Sequence, residues 1–182
     1  MRSGLSSAVL GALGFAVAIA ACAPTPERNS RVIPPDLRDV ERVNAPTVPS
    51  LDGFSQAVKA GTTLYVSGQV ALDSAGRLVG GSDLRAQLDQ ALRNLGTVLT
   101  ASRALPADIV RITVYVVNYA PADYAIIRDV LTHFTPDGSP PALTLVGVDA
   151  LPVSGLRVAI DAVAHVRGQF IDRERLPGRG MR

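Results

Sequence analysis

Hydrophobic and polar positions divide the chain into four stretches. Leu5–Ala21 is apolar or small throughout and uncharged, with Arg2 just ahead of it. A bilayer span takes about 20 strongly apolar residues, and this run is shorter and rich in Ala and Gly. A basic start, an apolar middle and a small-residue end predict a secretory signal over residues 1–21. From Ala23 to Ser50 come six of the thirteen prolines, set among alternating charges. Proline at that density predicts an extended tether of about 3.1 Å per residue. The tether is assigned to residues 22–43, with room for a short helix at Asp36–Val43. A globular body follows over 44–166. Residues 167–182, rich in arginine, read as a solvated tail.

Within the body the period of the pattern names the elements. Thr63–Ala71 alternates and is rich in β-formers, so it reads as a strand, with Phe54–Lys59 as its partner across a turn at Ala60-Gly61. The glycines of Asp73–Gly81 mark a loop. A helix opens near Ser82 or Asp83, either of which can cap it, and carries one stripe of Leu84, Leu88, Leu92, Leu95 and Leu99. Ile109–Val117 is almost all β-branched or apolar and reads as a central strand. Pro121-Ala-Asp starts a second helix with Tyr124, Ile127, Val130, Leu131 and Phe134 inward. Leu143–Val148 and Arg157–Val166 are the last strands. The order ββαβαββ predicts an α+β domain, with two helices on one face of a mixed sheet and the other face in need of a partner.

Composition narrows the chemistry. Cys22 is the only cysteine, and it ends Ile19-Ala20-Ala21-Cys22, a spacing that resembles a lipobox. Lipid on that thiol predicts a membrane-anchored envelope lipoprotein and leaves no cysteine for a disulfide, a zinc site or a nucleophile. Net charge is +2, and without residues 1–21, where Arg2 is the only charge, 17 basic residues face 16 acidic ones. So even a balance predicts no nucleic-acid partner. Gly76, Gly80 and Gly81 lack the Gly-Lys-Ser/Thr of a phosphate loop, and two histidines with no close acidic spacing make no metal motif. Asp161 and His165 share a strand face but stand roughly 13 Å apart, too far for a triad. No cofactor and no metal is expected.

Four segments in order resemble the RidA/YjgF family: Leu64-Tyr-Val-Ser-Gly-Gln-Val-Ala-Leu-Asp73, Ala86-Gln-Leu-Asp-Gln-Ala-Leu-Arg-Asn-Leu95, Asp108-Ile-Val-Arg-Ile-Thr-Val-Tyr-Val116, and Pro141 through Pro152 followed by Val158-Ala-Ile-Asp-Ala-Val-Ala164. The resemblance implies a chorismate-mutase-like fold and a homotrimer with ligand clefts between subunits. For the active branch it also implies hydrolysis of 2-imino acids or their enamine tautomers to 2-oxo acids and ammonia. By the same resemblance Ser67 and Gly68 fall on the family's Ser-Gly segment. Phe54, thirteen residues before that serine, stands where tyrosine is usual. Asp161 matches the family's glutamate, and Arg128 falls near a position that often carries asparagine. The family's carboxylate-binding arginine falls on Leu143, beside Thr144.

A charge-assisted hydrogen bond is worth roughly 1.5–3 kcal/mol, and an arginine fork makes two. Losing it at Leu143 therefore costs about two orders of magnitude or more in affinity for a carboxylate. The expected function is small-metabolite binding between trimer subunits, lined by Phe54, Ser67, Gly68, Arg128, Leu143 and Thr144, without the usual deamination. A deaminase of altered substrate, with Asp161 positioning water, is the alternative. A structural or partner-binding envelope module is the third.

Overall fold

The computed structural model describes residues 40–50, 52–135 and 140–166. The expected signal, Cys22, most of the tether and the tail lie outside them. Alternation in Thr63–Val70 builds the strand β3, which buries Leu64 and Val66 and exposes Tyr65 and Ser67. It pairs antiparallel with Ala57–Ala60, the strand β2, through the turn at Gly61, whose φ of 59° suits glycine. Ahead of β2 comes a strand the sequence reading did not contain, β1, Val40–Val43, antiparallel to β2. Of the helix expected at Asp36–Val43, residues 36–39 lie outside the described residues and Val40–Val43 form a strand instead, so the last four residues of the expected tether belong to the sheet. A helix of so few residues cannot repay its nucleation, whereas β2 offers an open edge and Val43 is buried beside its partner Ala57.

After the loop comes α1, Leu84–Ala101. The Asp83 carboxylate caps it, accepting from the backbone of Arg85 at 2.9 Å and Ala86 at 3.3 Å. The expected leucine stripe is buried, joined by Ala91 and Val98. A short 3-10 turn, Pro106–Asp108, leads into β4, Ile109–Val117. Then follow α2 (Asp123–Phe134), β5 (Ala142–Val148) and β6 (Val158–His165). Of the inward residues expected on α2, Ile127, Val130 and Leu131 are buried and Phe134 packs on the core. Tyr124 is 46% exposed, because the core covers the stripe only from Ile126 onward.

The sheet order is β1-β2-β3-β6-β4-β5, with β4 and β5 parallel and every other pair antiparallel. This is the α+β plan expected, with one strand more. One face carries Val43, Ala57, Leu64, Val66, Ile112, Val114, Val116, Ile160 and Ala162 into the core beneath α1 and α2. The opposite face carries Tyr65, Thr113, Tyr115, Asp161 and Thr144, and among the described residues one edge of β5 has no partner strand.

Two buried amides of α1 pin the segments that follow β3 and precede β6. Asn94 donates to the carbonyls of Val70 and Leu72, both at 2.9 Å. Gln87 donates to Gly155 O at 2.8 Å and accepts from Arg157 N at 2.8 Å. Buried amides so saturated hold a segment in one place, since breaking a single bond strands a desolvated group.

Candidate functional site: a cleft at the bulge of β3

The pairing of β3 with β6 slips between Val66↔Ala162 and Gln69↔Ile160, so Ser67 and Gly68 together oppose the single residue Asp161. Two residues against one is a β-bulge, which bends its strand and interrupts the ladder. A cleft of about 630 Å³ opens beside it, within the range of small-ligand pockets. Its floor is Ser67, Gly68 and Val70 of β3 with Ala159 of β6; Val58 and Arg42 close it toward β2 and β1. The loops that Asn94 and Gln87 hold supply Leu72 and Leu156, and Gly53 and Phe54 form the near rim. Phe54 is 75% exposed, its ring offered to the cleft mouth rather than to the core.

The polar groups of the cleft are largely spent on one another. The Ser67 hydroxyl donates to Gln56 O at 3.0 Å, and the Gln69 amide donates to Ser67 O at 3.1 Å. The Gln56 side chain is turned inward, accepting from Ala45 N at 2.7 Å and donating to the carbonyls of Ala45 and Val48. Ser67, having donated its proton to a carbonyl, keeps lone pairs for a ligand donor. Among the described residues no carboxylate and no histidine lines the cleft. Among those residues none stands in the cleft as a base to activate the serine or as a general base for water.

Of the residues singled out from the sequence, Phe54, Ser67 and Gly68 are brought together here. Asp161 opposes the bulge in register but is not in the lining. Its carboxylate accepts from the Tyr115 hydroxyl at 2.9 Å, and Tyr115 lies on β4, the neighbour of β6 on the side away from β3. Ala159, two residues earlier on the same face, takes the place beside the cleft; a Cβ on Gly68 would stand 3.8 Å from that of Ala159. Leu143 and Thr144 sit exposed on β5 at the far edge of the sheet, and Arg128 is exposed on α2. In one chain these three share no site with the cleft. Arg42 was missed altogether, because β1 lay inside the expected tether. The one available signal was the run Val40-Glu-Arg-Val43, whose β-branched ends put Arg42 and Val43 on opposite faces.

The donated proton leaves its mark on Tyr115. Its hydrogen bond to the Asp161 carboxylate, then desolvation, push the phenol above the usual tyrosine range.

A bulged mixed sheet backed by two helices, with a ligand-sized cleft at the bulge, defines a class that comparison makes specific. Residues 44–166 match the family model described as Endoribonuclease L-PSP, and the chain belongs to that family, the RidA/YjgF proteins. It is 41% identical over 120 residues to a mouse 2-iminobutanoate/2-iminopropanoate deaminase, a match covering 65% of this chain and 84% of that protein. It is 33% identical over 126 residues to the protein of the same description from Dermatophagoides farinae, covering 68% and 94%. Among solved structures, RidA from a Psychrobacter species superposes with a TM-score of 0.62 at 28% identity, covering 69% of this chain and 98% of that one. A Rid-family protein of Yersinia pestis, YyfB, is 40% identical with a TM-score of 0.56, covering 65% and 96%.

Replacing Asp161 by Asn removes the cause of the Tyr115 shift. Of the four tyrosines, the one that ionises last in an ultraviolet pH titration should move down toward the ordinary range in D161N. A group whose folded pKa is raised stabilises the fold below its ordinary value and loses that contribution as pH rises through the raised one. The stability difference between wild type and D161N should therefore shrink at strongly alkaline pH. An unchanged titration curve would mean that Tyr115 and Asp161 are not bonded in solution.

Proposed function

We propose that the chain is an envelope lipoprotein whose RidA-family domain binds a small metabolite in clefts between trimer subunits, without the usual 2-imino acid deamination. The observation that carries this reading is the lining of the cleft. It has room for a ligand and an apolar floor at Ala159, Val70 and Val58, but no carboxylate or histidine among the described residues. Leu143, where the family's arginine is expected, offers no fork to a substrate carboxylate. Such a cleft recognises and holds; it has little with which to move a proton.

The trimer is supported by what the single chain leaves uncovered. Tyr65 is half exposed on the helix-free face, and β5 has an open edge bearing exposed Leu143 and Thr144. Exposed strand edges and apolar faces of this kind invite pairing. In the proposed assembly, Leu143, Thr144 and Arg128 of one subunit approach the Phe54–Ser67–Gly68 cleft of the next. The deaminase reading is favoured by the descriptions of the relatives, and by Asp161, which stands one bulge away from Ser67.

Two measurements test the proposal. For the chain lacking residues 1–22, which keeps every described residue, thermal unfolding is followed with and without a deproteinised small-molecule extract of the source cells. Ligand at about 100 times its Kd adds about 2.7 kcal/mol and raises Tm by several degrees. Filling the floor with Ala159→Phe should abolish the rise while leaving the unliganded Tm near its wild-type value. A Tm indifferent to the extract contradicts the binding function. For the anchor, full-length protein should partition with membranes and take up labelled palmitate, and Cys22→Ser should lose both. Equal labelling of C22S would remove the lipoprotein assignment.

A further inference from the structure

We infer that the cleft is built for an amphipathic organic anion, an apolar body with one acidic head, and that Arg42 is the residue that receives the head. The inference rests on the binding reading above and names the ligand class for that same cleft. Among the described residues, Arg42 is the only charged one in the lining. Its position is fixed by backbone pairing: Arg42 opposes Val58, and Val58 opposes Tyr65, so alternation puts all three on the helix-free face where the cleft lies. Val43, the next residue, turns the other way into the core and locks that orientation.

The guanidinium makes no ion pair and no hydrogen bond among the described residues, unlike Arg77, Arg85 and Arg157, each of which meets an aspartate. Glu41 beside it belongs to the opposite face of β1. The neighbouring polar groups give it no counter-charge, since Gln56, Ser67 and Gln69 are bonded among themselves and to backbone. A lone guanidinium at the border of an apolar cavity presents a planar fork of donors, which suits a carboxylate, sulfonate or phosphate oxygen pair. The apolar floor at Val58, Val70 and Ala159 then takes the body of the same molecule. Arg42 lies two residues ahead of the segment that matches the family.

The test uses two fluorescent probes of one skeleton: 8-anilinonaphthalene-1-sulfonate, which carries an acidic head, and N-phenyl-1-naphthylamine, which does not. Both are titrated into the chain lacking residues 1–22, and into its Arg42→Gln, Arg42→Lys and Ala159→Phe variants. Both probes should bind wild type saturably, and both should be lost in A159F. R42Q should weaken the sulfonate about tenfold or more, one charge-assisted bond or better, and leave the neutral probe unchanged. R42K, a point charge in place of a fork, should fall between. If R42Q binds the sulfonate as wild type does, the role of Arg42 is overturned while the binding cleft stands. If R42Q loses both probes alike, Arg42 acts through structure and the charge recognition is overturned. If neither probe binds wild type, or A159F binds both undiminished, the cleft reading falls and the inference with it.

Discussion

Ser67 and Gly68 are two residues of β3 set against one of β6, and most of what distinguishes this domain follows from that mismatch. A regular ladder would have carried alternation straight through and left a flat, closed sheet. The extra residue bends β3 and opens the space of which Val70 and Ala159 form the floor. The bend persists because α1 holds both of its flanks. Asn94 takes the carbonyls that follow the bulge, at Val70 and Leu72, and Gln87 takes the backbone at Gly155 and Arg157 that leads into β6. These amides are buried, so each bond is costly to break. The base of the cleft is therefore held in place, with Phe54 at its rim and Arg42 at its border on β1.

The same sheet explains why a single chain looks unfinished. Helices cover one face, and the other presents Tyr65, Tyr115 and Asp161 beside an open edge at β5. The residues that the family resemblance marks as ligand-lining divide between the middle of this sheet and its β5 edge. Phe54, Ser67 and Gly68 gather at the bulge, while Leu143 and Thr144 lie on β5. Residues so far apart in one chain can meet only across an interface, which is the structural sense of the proposed trimer.

Much of the fold was legible because the periods are clean. The leucine spacing from Leu84 to Leu99 and the β-branched run of Ile109–Val117 gave α1 and β4 with nearly the observed bounds. The thirteen-residue interval from Phe54 to Ser67 came from the family resemblance, and both residues line the cleft. What escaped was short or relational. β1 is four residues long and follows a proline-rich stretch, so its pattern is too brief to stand out; it forms because β2 has an edge to give. With it went Arg42. The family resemblance singled out Asp161, but a resemblance says nothing about which neighbouring strand a carboxylate will serve. The Tyr115 hydroxyl on β4 decided that. Tyr124 continues the stripe of α2 by angle, yet the core ends at Ile126.

The claim that this cleft holds rather than transforms is tested most directly by ammonia release from 2-imino acids generated in place by an amino acid oxidase. The panel should include neutral, aromatic and amide-bearing side chains, with the chain lacking residues 1–22 confirmed as folded. Release at the uncatalysed rate for every imine is the expected result. Acceleration of any one of them that disappears in Asp161→Ala would contradict it, and would make Asp161, despite its bond to Tyr115, a catalytic group of a deaminase.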